Sequence, residues 1–343
     1  MKQKEIQGKQ KMKALKIGID NYGILPLELS PLETLKWAMK NGADGVQFSG
    51  LNLKEKQEID HSYLKKLSDY ALRNDLYVEW GGAQHIPLVM KSWEKKDIFS
   101  INKKVIQEAS ILGTKIVRSC SGGLMRWNPK NPSTEEILHL TSLALKEQKN
   151  LCEDYGITLA LETHFEFTTF ELIELFDMCD ALPGGYLGIC LDTMNLLTMM
   201  EEPVRAVERI LPWVVATHIK DGGITLNPKG LMSFPCEIGR GVIDLEKIIT
   251  LLSSLPHEVN LSIEDHGGSF VIPVFDKTFI KGFPHLTRDE FIELMNLVEK
   301  TSDRIDHRSL EVTSREKWPE LCENRIKKDL SVLKKIRDDL KMT

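Results

Sequence analysis

The sequence lacks the features that mark membrane, secreted and nucleic-acid-binding proteins. No apolar run reaches the roughly 20 residues that a transmembrane helix needs. Residues 1–13 are rich in Lys and Gln and contain no apolar core, so we expect a disordered tail rather than a secretory signal. The net charge is -5, whereas nucleic acids and anionic membranes usually attract a basic surface. We therefore expect a cytoplasmic protein with neither of these partners.

Cysteine is scarce, and its spacing contains no Cys-x-x-Cys pair. The six cysteines of this long chain therefore favour reduced thiols in a reducing compartment. Several lie inside apolar runs, as Cys190 does in Gly-Ile-Cys-Leu. We predict that most of them are core residues.

The sequence is rich in short apolar runs that alternate with helical patterns. The runs contain many β-branched residues and are nearly continuous in hydrophobicity, which is typical of parallel strands covered by helices. There are eight of them, at 15–19, 45–48, 76–80, 115–118, 157–161, 187–191, 214–219 and 259–263. Amphipathic helical patterns lie between them, among others at 31–41, 133–155, 169–179, 203–211, 245–255 and 288–299.

Eight strand–helix units predict a (β/α)8 TIM barrel at residues 14–300. An open doubly wound sheet is the alternative, but its glycine-rich dinucleotide turn should follow the first strand. Residues 19–23 at that position read Ile-Asp-Asn-Tyr-Gly, without Gly-x-Gly-x-x-Gly. The barrel is therefore the predicted fold.

Two segments fall outside the repeat. Residues 301–343 are charge-rich and end in an amphipathic pattern, so we predict a C-terminal helical extension that packs on the barrel or on a partner subunit. The apolar face of this helix contains Ile326, Leu330, Leu333 and Leu340. The glycine-rich and aromatic segment 267–284 follows the eighth strand, where either a lid or a rim loop would fit.

An acid or a histidine follows each of the last four predicted strands. Because the C-terminal ends of barrel strands converge, we expect these side chains to meet in one small volume. A single strand-end carboxylate is more often a loop residue or a helix cap, but four in succession favour a metal site. Two Glu, one Asp and one His suit Mn²⁺ or Mg²⁺, with Co²⁺ or Zn²⁺ as alternatives. The residues are Glu162 with His164, Asp192, His218 with Lys220, and Glu264 with His266.

Four motifs at these strand ends resemble the xylose isomerase-like TIM-barrel superfamily. That superfamily includes ketose 3-epimerases, inosose dehydratases, hydroxypyruvate isomerases and endonuclease IV. The motifs are Leu-Glu-Thr-His at 161–164, Leu-Asp-Thr-Met-Asn at 191–195, His-Ile-Lys-Asp at 218–221 and Ser-Ile-Glu-Asp at 262–265. The resemblance extends over residues 14–300 and implies four metal ligands, Glu162, Asp192, His218 and Glu264.

The sequence departs from the ketose 3-epimerases at three positions. Those enzymes typically have His three residues after the metal Asp, Glu six after the first metal Glu, and Arg six after the metal His. Here the corresponding residues are Asn195, Thr168 and Ile224. The implied metal ligands are thus present, whereas the residues that usually grasp a ketose are not.

The strand-end residues suggest chemistry through an enediolate. A carbonyl oxygen and its neighbouring hydroxyl, both bound to the cation, would make the C–H between them acidic. Glu162 and Glu264 on opposite sides of the substrate would then move a proton, which gives isomerisation or epimerisation. Loss of a β-substituent, with Lys220 or His164 as the acid, would make the enzyme a lyase instead. We favour an isomerase or epimerase of a keto-sugar or keto-polyol and keep the lyase as the alternative.

Other polar residues near strand ends are expected to bind the carbohydrate. They are Asn21, Glu79, Arg118, Asn195 and His266. We also expect a homo-oligomer. An endonuclease IV-like nuclease is disfavoured, because it needs further histidines, including an Asp-x-His pair that does not occur between His218 and Glu264. A non-catalytic carbohydrate-binding barrel remains a second rival, although it would not need all four ligands.

Overall fold

The computed structural model describes residues 15–51, 55, 58–307 and 309–342, so the predicted tail at 1–13 lies outside the described residues. It contains eleven labelled strands within these ranges. They are β1 (Ile17–Asp20), β2 (Gly45–Phe48), β3 (Tyr77–Ala83), β4 (Ile116–Ser119), β5 (Thr158–Glu162), β6 (Leu187–Asp192), β7 (Val214–Ile219), β8 (Asp221–Asn227), β9 (Gly230–Cys236), β10 (Leu261–Ile263) and β11 (Phe270–Ile272).

Eight of these strands form a closed parallel barrel in the order β1-β10-β7-β6-β5-β4-β3-β2. Each of the eight overlaps one of the predicted apolar runs. The last barrel strand closes on the first through the register Ile17↔Leu261, Gly18↔Ser262 and Ile19↔Ile263. The predicted (β/α)8 barrel is therefore confirmed.

Helices surround the barrel. The longer ones are α1 (Pro31–Lys40), α2 (His61–Arg73), α3 (Ile98–Leu112), α4 (Thr134–Tyr155), α5 (Thr169–Met178), α6 (Pro203–Ile210), α7 (Leu245–Ser253), α8 (Arg288–Asp306) and α9 (Trp318–Met342). Local sequence sets their ends. Ser133 Oγ accepts the Glu136 amide at the start of α4, and Gly156 ends that helix with a left-handed backbone. None of the described helices is long and apolar enough to cross a membrane.

The C-terminal helix α9 lies against β1, β10 and α7. Trp37 Nε1 of α1 donates to Glu323 Oε1 at 3.1 Å, and Trp318 Nε1 donates to the Gly23 carbonyl at 3.0 Å. Ile326, Leu330 and Leu333 on the predicted apolar face are buried. The helix therefore occupies the place between α7 and α1 in the outer layer.

A three-stranded antiparallel sheet, β11-β9-β8, lies next to the carboxyl ends of β7 and β10. The sequence analysis did not predict this sheet, because the three glycines and two prolines of 221–236 resemble a loop. At Gly230 a Cβ would lie 2.2 Å from the Ile272 carbonyl oxygen, so β11 can pack there only against glycine. The segment 267–284 thus supplies a third strand and the short helix Lys277–Lys281.

All six cysteines are free, and five of them are buried. The burial of five thiols agrees with the prediction that most of the cysteines are core residues. The Cys190 side chain lies inside the barrel with Ala160 and Ala216.

Candidate metal centre

The four implied ligands meet at the carboxyl ends of the barrel strands. Glu162 ends β5, Asp192 ends β6, His218 lies in β7, and Glu264 directly follows β10. Each offers one ligand atom, and these atoms all lie within 4.8 Å of one another. All four side chains are buried. The barrel therefore gathers residues that are up to 102 positions apart in sequence into one cluster, as the strand-end pattern predicts.

Contacts on both ring nitrogens fix the orientation of His218. Its Nε2 lies 3.4 Å from Asp20 Oδ2 and 3.3 Å from Ser49 Oγ. Its Nδ1 lies 3.3 Å from Glu162 Oε1 and 3.4 Å from Glu264 Oε2. A proton on Nε2 that bonds to Asp20 leaves Nδ1 as the ligand atom, an arrangement typical of metal-binding histidines. Asp20 was not predicted, although it ends β1 by the same strand-end rule.

Two permanently charged side chains, Arg118 and Lys220, form ion pairs with the carboxylates of the cluster. The Arg118 guanidinium donates to Glu162 Oε2 and, at 3.0 Å, to the Ser49 carbonyl. Lys220 Nζ lies 2.8 Å from Asp192 Oδ2 and also contacts Glu264 Oε2. Burial alone would raise the pKa of Glu264, but Lys220 and His218 hold that pKa at about 2. Burial would also raise the pKa of Glu162, but Arg118 and His218 keep that pKa well below its ordinary value.

This donor set fits a divalent metal ion. Three buried carboxylates and one imidazole provide mainly hard oxygen ligands around one point, the chemistry that Mg²⁺ and Mn²⁺ prefer. The nearby Asp20 carboxylate adds a further negative charge behind His218. The residues can therefore hold a metal ion, and the cation would relieve their mutual repulsion.

A cavity of about 440 Å³ opens onto the cluster. Five residues that the sequence analysis selected besides the metal ligands line it, namely Arg118, His164, Asn195, Lys220 and His266. Burial dominates the shift of the His266 imidazole and lowers its pKa to about 4, so this ring is neutral at pH 7.

Two predicted substrate-binding residues do not line this cavity. Asn21 Nδ2 donates to the Gly50 carbonyl at 3.0 Å and so holds the segment after β2. Glu79 lies inside the barrel, where it accepts from Gln47 Nε2 at 3.0 Å and Asn260 Nδ2 at 2.8 Å. Burial raises the pKa of Glu79 to about 7. The alternation of side chains along β3 points Glu79 into the barrel core, so its contacts are structural.

A second carboxylate orients His164 on the cavity wall. His164 Nδ1 lies 2.7 Å from Glu166 Oε2, and Glu166 Oε1 accepts the Ser121 amide at 3.2 Å and also the Gly122 amide. The Cys120 thiol lies 4.0 Å from the same Oε1. Glu166 thus binds Nδ1 of His164 and fixes the orientation of the ring.

Several other cavity residues were not selected from the sequence as site residues. They are Ser49, Phe165, Phe270 and Arg315, and Tyr22 also lines the cavity. Tyr22 packs edge-on against His266, with ring centroids 5.4 Å apart. Phe270 and Arg315 come from segments after the last barrel strand, where no strand-end rule applies.

Comparison with known proteins agrees with this geometry. Residues 35–283 match the family model described as xylose isomerase-like TIM barrel. The chain belongs to this family. Among curated proteins, this member of the xylose isomerase-like family is 30% identical over 136 residues to 3-oxo-isoapionate decarboxylase of Pectobacterium atrosepticum. That match covers 39% of the chain and 46% of the decarboxylase, so the chain matches less than half the length of that relative.

Solved structures of the xylose isomerase-like fold resemble the whole barrel. D-psicose 3-epimerase of Clostridium cellulolyticum is 14% identical with a TM-score of 0.58, and the match covers 85% of this chain and 99% of the epimerase. A xylose isomerase-like TIM barrel protein of Mycobacterium smegmatis, in complex with magnesium, is 15% identical with a TM-score of 0.57. The match covers 83% of this chain and 97% of that protein. At such identities the likeness establishes the fold alone.

Proposed function

We propose that the protein is a divalent-metal-dependent lyase that decarboxylates a small keto-sugar acid through an enediolate or enolate. One observation carries this choice of reaction. Both glutamates that reach the cavity, Glu162 and Glu264, already bind permanent cations, Arg118 and Lys220. A carboxylate held in this way is a weak general base, whereas decarboxylation needs no base.

The proposed reaction balances without an additional reactant. In a 3-keto acid, the bond between the α-carbon and the carboxylate breaks, its electron pair moves toward the adjacent C3 keto group to form the enolate, and carbon dioxide leaves. The α-carbon then takes one proton from a side chain. His164, which Glu166 orients, and the Lys220 ammonium are the proton donors that line the cavity.

Each residue of the centre has a part in this scheme. Glu162, Asp192, His218 and Glu264 would hold the ion, which supplies a Lewis acid for the keto oxygen of the substrate. Asp20 and Ser49 keep His218 in the tautomer that presents Nδ1 to the cluster. Asp192 Oδ1 accepts the Met194 and Asn195 amides at 3.0 Å, which fixes the direction of its carboxylate.

Two further observations support a reaction other than ketose 3-epimerisation. Thr168 and Ile224, which replace the ketose-grasping residues, have structural contacts instead. Thr168 caps α5 by accepting the Glu171 amide, and Ile224 is fully buried in β8. The decarboxylase of P. atrosepticum, in addition, is a curated relative of this chain.

Isomerisation or epimerisation, the reaction favoured from sequence, is the second candidate. Glu162 and Glu264 both line the same cavity. If one of these glutamates released its cation when the substrate binds, it could remove a proton from the substrate. The other glutamate could then return a proton. This reaction would leave the carbon skeleton intact.

One experiment separates the candidates. Protein loaded with Mn²⁺ is incubated in D2O with 3-keto aldonic acids and with neutral keto-sugars. Carbon dioxide release with one deuterium on the product carbon is the expected result. Deuterium exchange on a keto-sugar without carbon dioxide release would replace the lyase with the isomerase or epimerase.

Two variants control this experiment. Asp192→Ala removes a ligand and should abolish turnover, whereas Asp177→Ala removes an exposed carboxylate and should not. Metal binding by the wild type with neither signal on any of these compounds would favour a non-catalytic carbohydrate-binding barrel.

A further inference from the structure

Arg315 stands apart from the other two permanent cations that line the cavity. Arg118 and Lys220 bind the metal-site carboxylates Glu162, Asp192 and Glu264. Within the described part of the chain, Arg315 forms no ion pair of its own. Among the described residues, Arg315 is thus the one permanently charged cation of the cavity that does not pair with a protein carboxylate.

The backbone after Glu264 leaves the space through which the Arg315 side chain reaches the cavity. The Gly268 amide donates to the Thr313 carbonyl at 2.8 Å, which holds the segment before α9 against the segment after β10. Gly268 has a φ of +92°, and a Cβ there would lie 2.8 Å from both Cγ and Nε of Arg315. A residue without a side chain is therefore required where Arg315 crosses.

Phe270 supports the end of the same side chain. The Arg315 Cζ lies 5.7 Å from the centroid of the Phe270 ring, and both residues line the cavity. A guanidinium that stacks on an aromatic ring can still donate hydrogen bonds in its own plane. Two of these N–H groups together match the two oxygens of a carboxylate. Arg315 lies beyond residue 283, where the match to the family model ends.

We propose that Arg315 binds the carboxylate of the substrate and thereby selects keto-sugar acids over neutral keto-sugars. The proposal rests on the substrate class given under the proposed function. Arg118 and Lys220 are committed to the metal-site carboxylates, so an anionic substrate finds its free partner in Arg315. The residue acts in recognition, while the metal ligands and proton donors lie at the carboxyl ends of the barrel strands.

Binding measurements test this assignment without turnover. Mn²⁺-loaded protein is titrated calorimetrically with 2-keto-D-gluconate and, separately, with D-fructose as the neutral counterpart. The wild type is expected to prefer the acid. Arg315→Gln should weaken binding of the acid by about 10- to 100-fold, as expected for loss of a charge-assisted pair, and leave D-fructose unchanged.

Matched variants distinguish position from net charge. Lys317→Gln removes an equal charge from the same segment but does not line the cavity, so its preference should equal that of the wild type. Arg315→Lys should restore part of the preference. Gly268→Ala keeps the guanidinium but displaces its side chain, and should lower the preference as Arg315→Gln does. Manganese content and the thermal midpoint of each variant establish that the metal site and fold are intact.

The outcomes separate this proposal from the proposed reaction. An acid preference that survives in Arg315→Gln, or its absence from the wild type, overturns the role of Arg315. Carbon dioxide release by that same wild-type protein would still support the lyase. An Arg315-dependent preference without carbon dioxide release would support the role of Arg315 and reject the decarboxylation.

Discussion

At the scale of the single residue, Asp192 has the contacts that most directly test the metal centre. Its Oδ1 accepts two backbone amides, and its Oδ2 lies near Lys220 and the other ligands. Asp192→Asn keeps an oxygen for the amides but removes the charge, so we expect Mn²⁺ affinity to fall by about 100-fold or more. Elemental analysis after dialysis against metal-free buffer measures this loss.

Asp177→Asn, which changes an exposed aspartate on α5, is the control and should retain the ion. If Asp192→Asn also retained one tightly bound ion per chain, the proposed ligand set would be wrong.

Glu79 gives a prediction for pH at the same scale. Burial raises the pKa of Glu79 from 4.5 to about 7, so the folded protein binds more protons than the unfolded chain between these values. Stability contributed by the neutral carboxyl is therefore lost as pH rises from about 4.5 through 7. Glu79→Gln, which resembles the neutral form, should gain about 2–3 kcal/mol over the wild type between pH 5 and pH 8.

Urea unfolding of both proteins at the two pH values in metal-free buffer tests the titration of Glu79. An equal difference in unfolding free energy at pH 5 and pH 8 would contradict it.

The sequence predicted the residues of the centre better than it predicted their surroundings. Glu162, Asp192, His218 and Glu264 could be predicted because each lies at the end of an apolar strand, and barrel closure brings strand ends together. Glu79 also lies in a strand, but the direction of its side chain depends on a register that the apolar run does not specify. Arg315 reaches the cavity from a 3-10 helix of three residues outside the barrel, and no periodicity marks such a contact.

At the scale of the element, helix α9 should contribute strongly to stability. Leu330 on its inner face is 2% exposed, whereas Leu321 on the same helix is 43% exposed. Leu330→Ala should lower the free energy of unfolding by about 2–5 kcal/mol, because it leaves a cavity beside the barrel. Leu321→Ala, the matched control, should cost less than about 1 kcal/mol. Chemical denaturation of the two variants makes the comparison, and equal losses would contradict the packing of α9 described here.

The predicted elements differ in how well the sequence defines them. Strands that are buried on both faces give continuous apolar runs, and all eight barrel strands were found in this way. The β8–β9 hairpin begins with Gly222 and Gly223 and contains Pro235, residues that disfavour a strand. Its stability comes instead from packing against β11 and α8, which are distant in sequence.

At the scale of the whole molecule, metal binding should be coupled to folding. The ligands lie on four different strands, so they come together only in the closed barrel. A ligand that binds only the folded state stabilises it by about 2.7 kcal/mol at a free concentration 100 times its dissociation constant. We therefore expect Mn²⁺ to raise the thermal midpoint of the metal-free protein, as differential scanning calorimetry can measure.

The Asp192→Asn variant provides the control for that coupling. It should show little or no rise in the midpoint with Mn²⁺. A rise equal to that of the wild type would locate the stabilising ion elsewhere.

The position of α9 between α7 and α1 also bears on how the protein forms during its synthesis. Strand β1 and its packing partner α9 lie about 300 residues apart in the chain, so β1 is made well before α9. At roughly 5–20 residues per second, the apolar face of β1 waits tens of seconds for that partner. Nascent chains of this protein are thus expected to depend on chaperones until α9 has been made.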